Sequence, residues 1–156
     1  MEWVELRRHE RKESNPDLGI LSGRLLLSLQ QEVYETLATQ GHEKFRPKHG
    51  AVLAYLDVEG SRATDLAQRS GQHKQVIGTL VDELIELGYV RREPDPDDRR
   101  AKLIVPTELG LDQMNRSDAL FVRMEERLAD ALGQRAYGDF KSALREVVRL
   151  RRAESD

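Results

Sequence analysis

The side chains of this 156-residue chain that could do chemistry fall into two short groups and one isolated ring. Gln72, His73, Lys74, Gln75 and Thr79 set amide, imidazole, ammonium and hydroxyl groups along the first half of one helical segment. Asp97, Arg99 and Arg100 stand in the polar stretch Pro94-Asp95-Pro96-Asp97-Asp98-Arg99-Arg100. The ring is His49, on an apolar stripe with Val52, Leu53 and Leu56. Groups of the first two kinds hydrogen-bond to base edges and phosphates. Catalysis would need a nucleophile beside its base, paired carboxylates in a cleft, or a phosphate loop, and the sequence contains none of these. The absence of cysteine removes thiolate chemistry, disulfides and sulfur-ligated zinc. His9, His42, His49 and His73 show no close pairing with carboxylates of the kind that builds a metal site within one helix. The expectation is a binding protein, not an enzyme, with no cofactor and no metal.

Mostly helical elements must position these groups. Charged residues make up 34% of the chain and aromatics only 5%, a balance suited to helices with solvated outer faces. The net charge of -3 does not announce a polyanion partner, so the argument has to be local. Residues 1–16 read as an arm or frayed helical start. A helix follows over 17–46, capped by Asp17, with Leu18, Leu21, Leu25, Leu29, Val33 and Leu37 at steps of three and four, and ends at Gly41. Within 47–107 the spacing predicts a short helix from Pro47, a second from Ser61 or Arg62 to Ser70, and a third from His73 to Leu87. That third helix carries Val76, Ile77, Leu80, Val81, Leu84 and Ile85 inward. Two β-prone runs, 89–93 and 102–105, make a hairpin. Thr107 caps a long helix bearing Leu111, Met114, Phe121, Met124, Leu128 and Leu132, and a last helix carries Tyr137, Phe140, Leu144 and Val148, both within 108–156. No run is apolar enough to span a membrane and no secretory signal precedes Arg11, so the cytoplasm is the expected compartment.

Ala67, Gly71, Ile77 and Leu80 have the spacing of a helix-turn-helix: a small residue where helices touch, glycine in the turn, apolar anchors beyond. An ordinary helical hairpin would use the same residues. The outer face of the third helix is divided, however, with donors in its first half and Asp82, Glu83 and Glu86 in its second. A helix that enters the major groove by its N-terminal end needs donors there, whereas the helix dipole alone would favour the opposite order. Arg99 and Arg100 at the hairpin tip suit a narrow minor groove; a solvated mixed-charge turn is the plainer alternative.

The segment from Pro47 to Gly110 resembles the MarR family of transcriptional regulators. Asp95-Pro96-Asp97-Asp98-Arg99-Arg100 followed by Ala101-Lys102-Leu103-Ile104-Val105-Pro106-Thr107-Glu108-Leu109-Gly110 is similar to the family's wing and the helix start behind it, with Pro106 where leucine is usual. Leu66-Ala67, Lys74-Gln75, Leu80-Val81-Asp82-Glu83-Leu84 and Gly88-Tyr89-Val90 match its helix-turn-helix in type and spacing. The resemblance implies a mainly α fold: a winged helix-turn-helix with a three-helix core and a two-stranded hairpin wing, flanked by long dimerisation helices. It implies double-stranded DNA as partner, bases read by residues 72–79, Arg99 as the minor-groove residue and Asp97 as the group that orients it. His73 stands where relatives place a serine or threonine cap, and Gly78 interrupts the helix at a site facing DNA or a neighbouring helix.

More apolar stripe is present on the flanking helices than one small winged helix would cover, which predicts a homodimer and a pseudo-palindromic operator. The resemblance further implies repression relieved by a small aromatic or phenolic effector, for which His49 is the candidate contact; a core histidine satisfied by protein groups is the plainer reading of that residue. The rival account is a winged-helix protein-interaction module that no longer binds DNA.

Overall fold

A computed structural model describes residues 7–154. The chain divides into two compact units, one ending at Gln113 and the other beginning at Met114.

In the first unit, α1 (Arg8–Ser14) lies within the segment expected to be an arm; the remainder of that expectation, residues 1–6, lies outside the described residues. The Asp17 carboxylate then accepts the Ile20 amide at 2.9 Å and starts α2 (Leu18–Leu37). This satisfies one of the otherwise orphaned donors of a helix N-terminus. The apolar stripe of α2 is buried only at its end. Val33 and Leu37 are enclosed, whereas Leu18, Leu21 and Leu25 are exposed. A one-turn 3-10 segment, Pro47–His49, leads into the short helix α3 (Gly50–Leu53).

The expected two-stranded hairpin is present, and a third strand joins it. Ser61–Arg62 forms a strand, β1, directly before α4 (Ala63–Ser70), and the order is β1-β3-β2 with β2 at Val90–Pro94 and β3 at Lys102–Pro106. All pairings are antiparallel, with Ser61 opposite Ile104 and Arg92 opposite Ile104 on the other side. A two-residue strand is too short to show a period of two, so it reads from sequence as the start of the following helix.

Gly71 closes α4 with φ of 72°, the left-handed conformation that a Cβ resists, and lets the chain turn tightly into α5 (Lys74–Glu86). Leu66 of α4 and Ile77 and Leu84 of α5 have no exposed surface, and Val81 is 1% exposed. Each buried aliphatic side chain of this size contributes about 1.5–3 kcal/mol. Val76 is the exception to the expected stripe: it is 41% exposed and stands on the outer face. Its neighbours Ile77, Leu80, Val81 and Leu84 already fill the inward arc, and one residue back along a helix turns a side chain by about 100°.

The Thr107 hydroxyl donates to the Gly88 carbonyl at 2.5 Å and accepts the Gly110 amide at 3.2 Å, so it both caps α6 (Glu108–Leu132) and ties it to the start of β2. The close approach fixes the residue three positions on. A Cβ at Gly110 would stand 2.1 Å from the Tyr89 carbonyl oxygen, which no relaxation of a side chain relieves.

The second unit holds the remainder of α6 and α7 (Gln134–Ala153). Lys141 pairs with Glu125, and the rings of Tyr137 and Phe140 lie 6.2 Å apart. Phe121 and Leu132 of α6 and Phe140 and Val148 of α7 are exposed, and α7 has no buried residue.

Candidate nucleic-acid interface

The first half of α5 presents the expected donors outward. Gln72, His73, Lys74, Gln75 and Thr79 are all exposed. His73 is the N-cap residue in extended conformation, but its ring makes no capping hydrogen bond, so the first amides of α5 have no side-chain cap from it. This leaves donors of the helix N-terminus open to an outside acceptor, the arrangement that suits a phosphate. The Thr79 hydroxyl donates back to the Gln75 carbonyl at 3.2 Å, as hydroxyls within helices do.

Two of the acids in the second half of α5, Asp82 and Glu83, are engaged by the fold. Asp82 accepts from Arg92 of β2 at 2.7 Å. Glu83 meets Lys48 at 2.6 Å and His49 at 3.1 Å. Lys48 and then His49 hold the Glu83 carboxyl below the ordinary carboxylate range. Both pairs join α5 to neighbouring elements and offset acidic charge that would otherwise oppose a polyanion. No period or spacing in the sequence reports a contact between Glu83 and His49, 34 positions apart.

Between α5 and the sheet lies a cleft of about 310 Å³ lined by Arg62, Thr64, Lys74, Gly78, Arg92 and Lys102 among others. Arg62 and Arg92 are paired with acids, but neither Lys74 nor Lys102 has a hydrogen-bonded or ion-paired side-chain partner among the described residues. Lys74 of α5 and the hairpin strands at Arg92 and Lys102 therefore border one basic depression. A Cβ at Gly78 would meet nothing within 4 Å, so no neighbouring helix requires this glycine.

At the hairpin tip Arg99 and Arg100 are exposed, and their guanidinium groups have no partner among the described residues. Asp97 is exposed and its carboxylate does not contact Arg99; its main-chain amide instead donates to Asp95 Oδ1 at 2.9 Å. Asp95 is the carboxylate that organises the turn. It is 5% exposed and its Oδ2 accepts from Arg62 Nε at 2.6 Å and Nη2 at 2.5 Å. The Asp97 amide, reinforced by Arg62, holds the Asp95 carboxyl below its usual range. Sequence reading missed both Asp95 and Arg62. The available signal was an aspartate two residues before a main-chain amide in a turn, a geometry in which aspartate hydrogen-bonds its own backbone.

His49 lies in the core at 2% exposed. Its Nδ1 accepts the Arg46 amide at 2.9 Å, its Nε2 faces Glu83, and Phe45 packs on it with ring centroids 5.3 Å apart. Both nitrogens are thus occupied by protein groups. Phe45 also contacts Tyr34 and Tyr89, and the Tyr89 hydroxyl lies 2.9 Å from Nδ1 of the buried His42, whose Nε2 meets Asp112 at 2.9 Å. Among the described residues no histidine and carboxylate cluster is arranged to hold a metal, and no helix is long and apolar enough to cross a membrane.

Residues 45–101, covering the helix-turn-helix and the hairpin tip, match the model of the MarR family. An uncharacterized HTH-type transcriptional regulator of Bacillus subtilis, YcgE, is 46% identical over 44 residues. The match spans 28% of this chain and 29% of that protein's length. Among solved structures, CouR from Rhodococcus jostii RHA1 bound to p-coumaroyl-CoA is 28% identical, covering 85% of this chain and 92% of CouR with a TM-score of 0.68. CouR bound to a 23-mer DNA duplex is 25% identical, with coverage of 92% and 99% and a TM-score of 0.70. The Staphylococcus aureus MepR–DNA complex shares the fold, with a TM-score of 0.70 over 85% of this chain and 94% of MepR at 19% identity. The helix-turn-helix, the wing beside it and these likenesses agree: residues 45–101 match the MarR family, and the chain has the winged helix-turn-helix fold of these regulators.

Proposed function

We propose that this protein is a sequence-specific, duplex-DNA-binding transcriptional regulator. The observation that carries the proposal is the shared basic cleft: Lys74 of α5 and Lys102 of β3, both without acidic partners among the described residues, border one depression with the exposed donors of α5 beside it and Arg99 and Arg100 at the wing tip. Residues 72–79 read base edges in the major groove, Lys74 and Lys102 meet backbone phosphates, and Arg99 enters the minor groove. CouR, a relative of the same fold, is a repressor that has been seen on a DNA duplex, which supports the same role here.

The regulator acts as a homodimer on a pseudo-palindromic operator. Exposed leucines along α2 and exposed Phe140 and Val148 on α7 are the apolar surface that a second copy covers. Repression relieved by a small aromatic or phenolic effector is the further expectation, and the binding of p-coumaroyl-CoA by CouR supports an effector of that chemistry. The test is selection of bound duplexes from a random pool. Enrichment of a palindromic site whose affinity falls steeply with salt is expected; failure to enrich any site at low salt contradicts DNA binding and favours a protein-interaction module.

A further inference from the structure

The tip of the wing hangs from one buried carboxylate. Asp95 Oδ1 accepts the Asp97 amide at 2.9 Å, the Asp98 amide donates to the Asp95 carbonyl at 3.3 Å, and the Asp95 amide donates to the Ala101 carbonyl at 3.2 Å. The Ala101 amide returns to the Asp98 carbonyl at 2.9 Å, and the Asp98 carboxylate accepts the Arg100 amide at 3.0 Å. Arg99 sits inside this ring of main-chain bonds, and its guanidinium has no hydrogen-bonded or ion-paired partner among the described residues. Its direction is therefore set by the backbone, and the backbone is set by Asp95.

Asp95 in turn is held by a residue from outside the hairpin. Arg62 is the N-cap residue of α4 and pairs with Leu103 in the sheet, so it belongs at once to β1 and to the start of the helix-turn-helix. Its Nε and Nη2 both reach Asp95 Oδ2. The other ion pair that ties the helix-turn-helix to the hairpin, Asp82 of α5 with Arg92, joins two exposed side chains, a kind of pair that contributes little. Asp95 is enclosed, and an enclosed carboxylate left without its cation is strongly disfavoured.

We infer that Arg62 and Asp95 are positioning residues for DNA recognition: their ion pair fixes the wing tip against the start of the helix-turn-helix and so aims Arg99. This rests on the DNA-binding reading above. The pair does not contact bases in this account; it acts through Arg99. Asp95 also removes one negative charge from the wing's outer surface by turning it inward.

The test is a double-mutant cycle on the operator enriched by the wild-type protein. Arg99→Ala is expected to weaken wild-type binding about tenfold or more, the usual cost of losing a groove-inserted arginine. In Asp95→Asn, which keeps an oxygen for the Asp97 amide but loses the charge, and in Arg62→Gln, Arg99→Ala is expected to change affinity less than about threefold, because Arg99 is no longer aimed. Arg62→Lys keeps the charge and is expected to preserve most of the Arg99 effect. An equal Arg99→Ala penalty in every background overturns the inference while leaving DNA binding intact. Absence of binding by the wild-type protein overturns the reading on which it rests. A second measurement needs no DNA: amide hydrogen exchange in Asp95→Asn should quicken over residues 97–101 and stay unchanged in α4 and α5. Unchanged exchange at the tip, or quickening across the whole unit, counts against a positioning role.

Discussion

His49 Nε2 and Glu83 Oε2 meet at 3.1 Å and join a buried ring on the 3-10 turn to the second half of α5. The Arg46 amide donates to the other ring nitrogen, so the ring is neutral with its proton on Nε2. A second proton on Nδ1 would face the Arg46 N–H donor to donor.

This geometry has a pH consequence. Burial disfavours the charged ring and holds His49 below its ordinary value of 6.5, with Glu83 pulling upward and Lys48 and Arg46 adding to the downward push. Around that value the unfolded chain binds more protons than the folded one, so the stability contributed by His49 is complete above about pH 6.5 and is lost as pH falls toward the folded value. Melting temperature should fall between pH 7 and 5 more steeply in the wild type than in His49→Gln, which keeps a donor for Glu83 and an acceptor for Arg46. Identical slopes would show that this ring is not the titrating group.

Gly110→Ala should destabilise the first unit by about 3 kcal/mol or more, above the common range for overpacking, because the added methyl meets the rigid Tyr89 carbonyl at 2.1 Å. Denaturant unfolding reads the difference directly. A stability within 1 kcal/mol of the wild type would mean that α6 shifts at its start without cost.

Gly78→Ala separates fold from function at one atom. The methyl meets open space, so the substitution should stabilise α5 by about 0.5–1 kcal/mol. Gly78 also lines the basic cleft, so operator affinity should drop. Raised stability with unchanged affinity would assign this glycine no part in DNA approach.

If the proposed homodimer forms through α2, Leu21→Glu should yield a monomer, since Leu21 is 51% exposed on the apolar stripe of that helix. Sedimentation equilibrium checks the mass, and the monomer should lose preference for two half-sites over one. A wild-type protein already monomeric at micromolar concentration would contradict the homodimer.

Much of this was legible in the residues. Gly71 announced the turn, the spacing of Ile77, Leu80, Val81 and Leu84 announced the inward face of α5, and Thr107 announced the cap of α6, because each is a local rule with a local cause. The donors of residues 72–79 followed from the helix that carries them. What stayed hidden depends on contacts distant in sequence. Arg62 and Asp95 are 33 positions apart, Glu83 and His49 are 34 apart, and β1 is visible only as the partner of β3. The resemblance implies that Asp97 orients Arg99, whereas the buried carboxylate that accepts the turn's main-chain amide is Asp95.

The central claim is that α5 and the wing together read duplex DNA. The most direct measurement is the affinity of wild type, Lys74→Ala and Arg99→Ala for the selected duplex across a salt series. The account predicts nanomolar-range binding at moderate salt, with the log affinity falling linearly in log salt and the slope reduced by about one per subunit in Lys74→Ala. Arg99→Ala should lose affinity most on sites with an A·T-rich segment under the wing. Binding that ignores salt and both substitutions would contradict it.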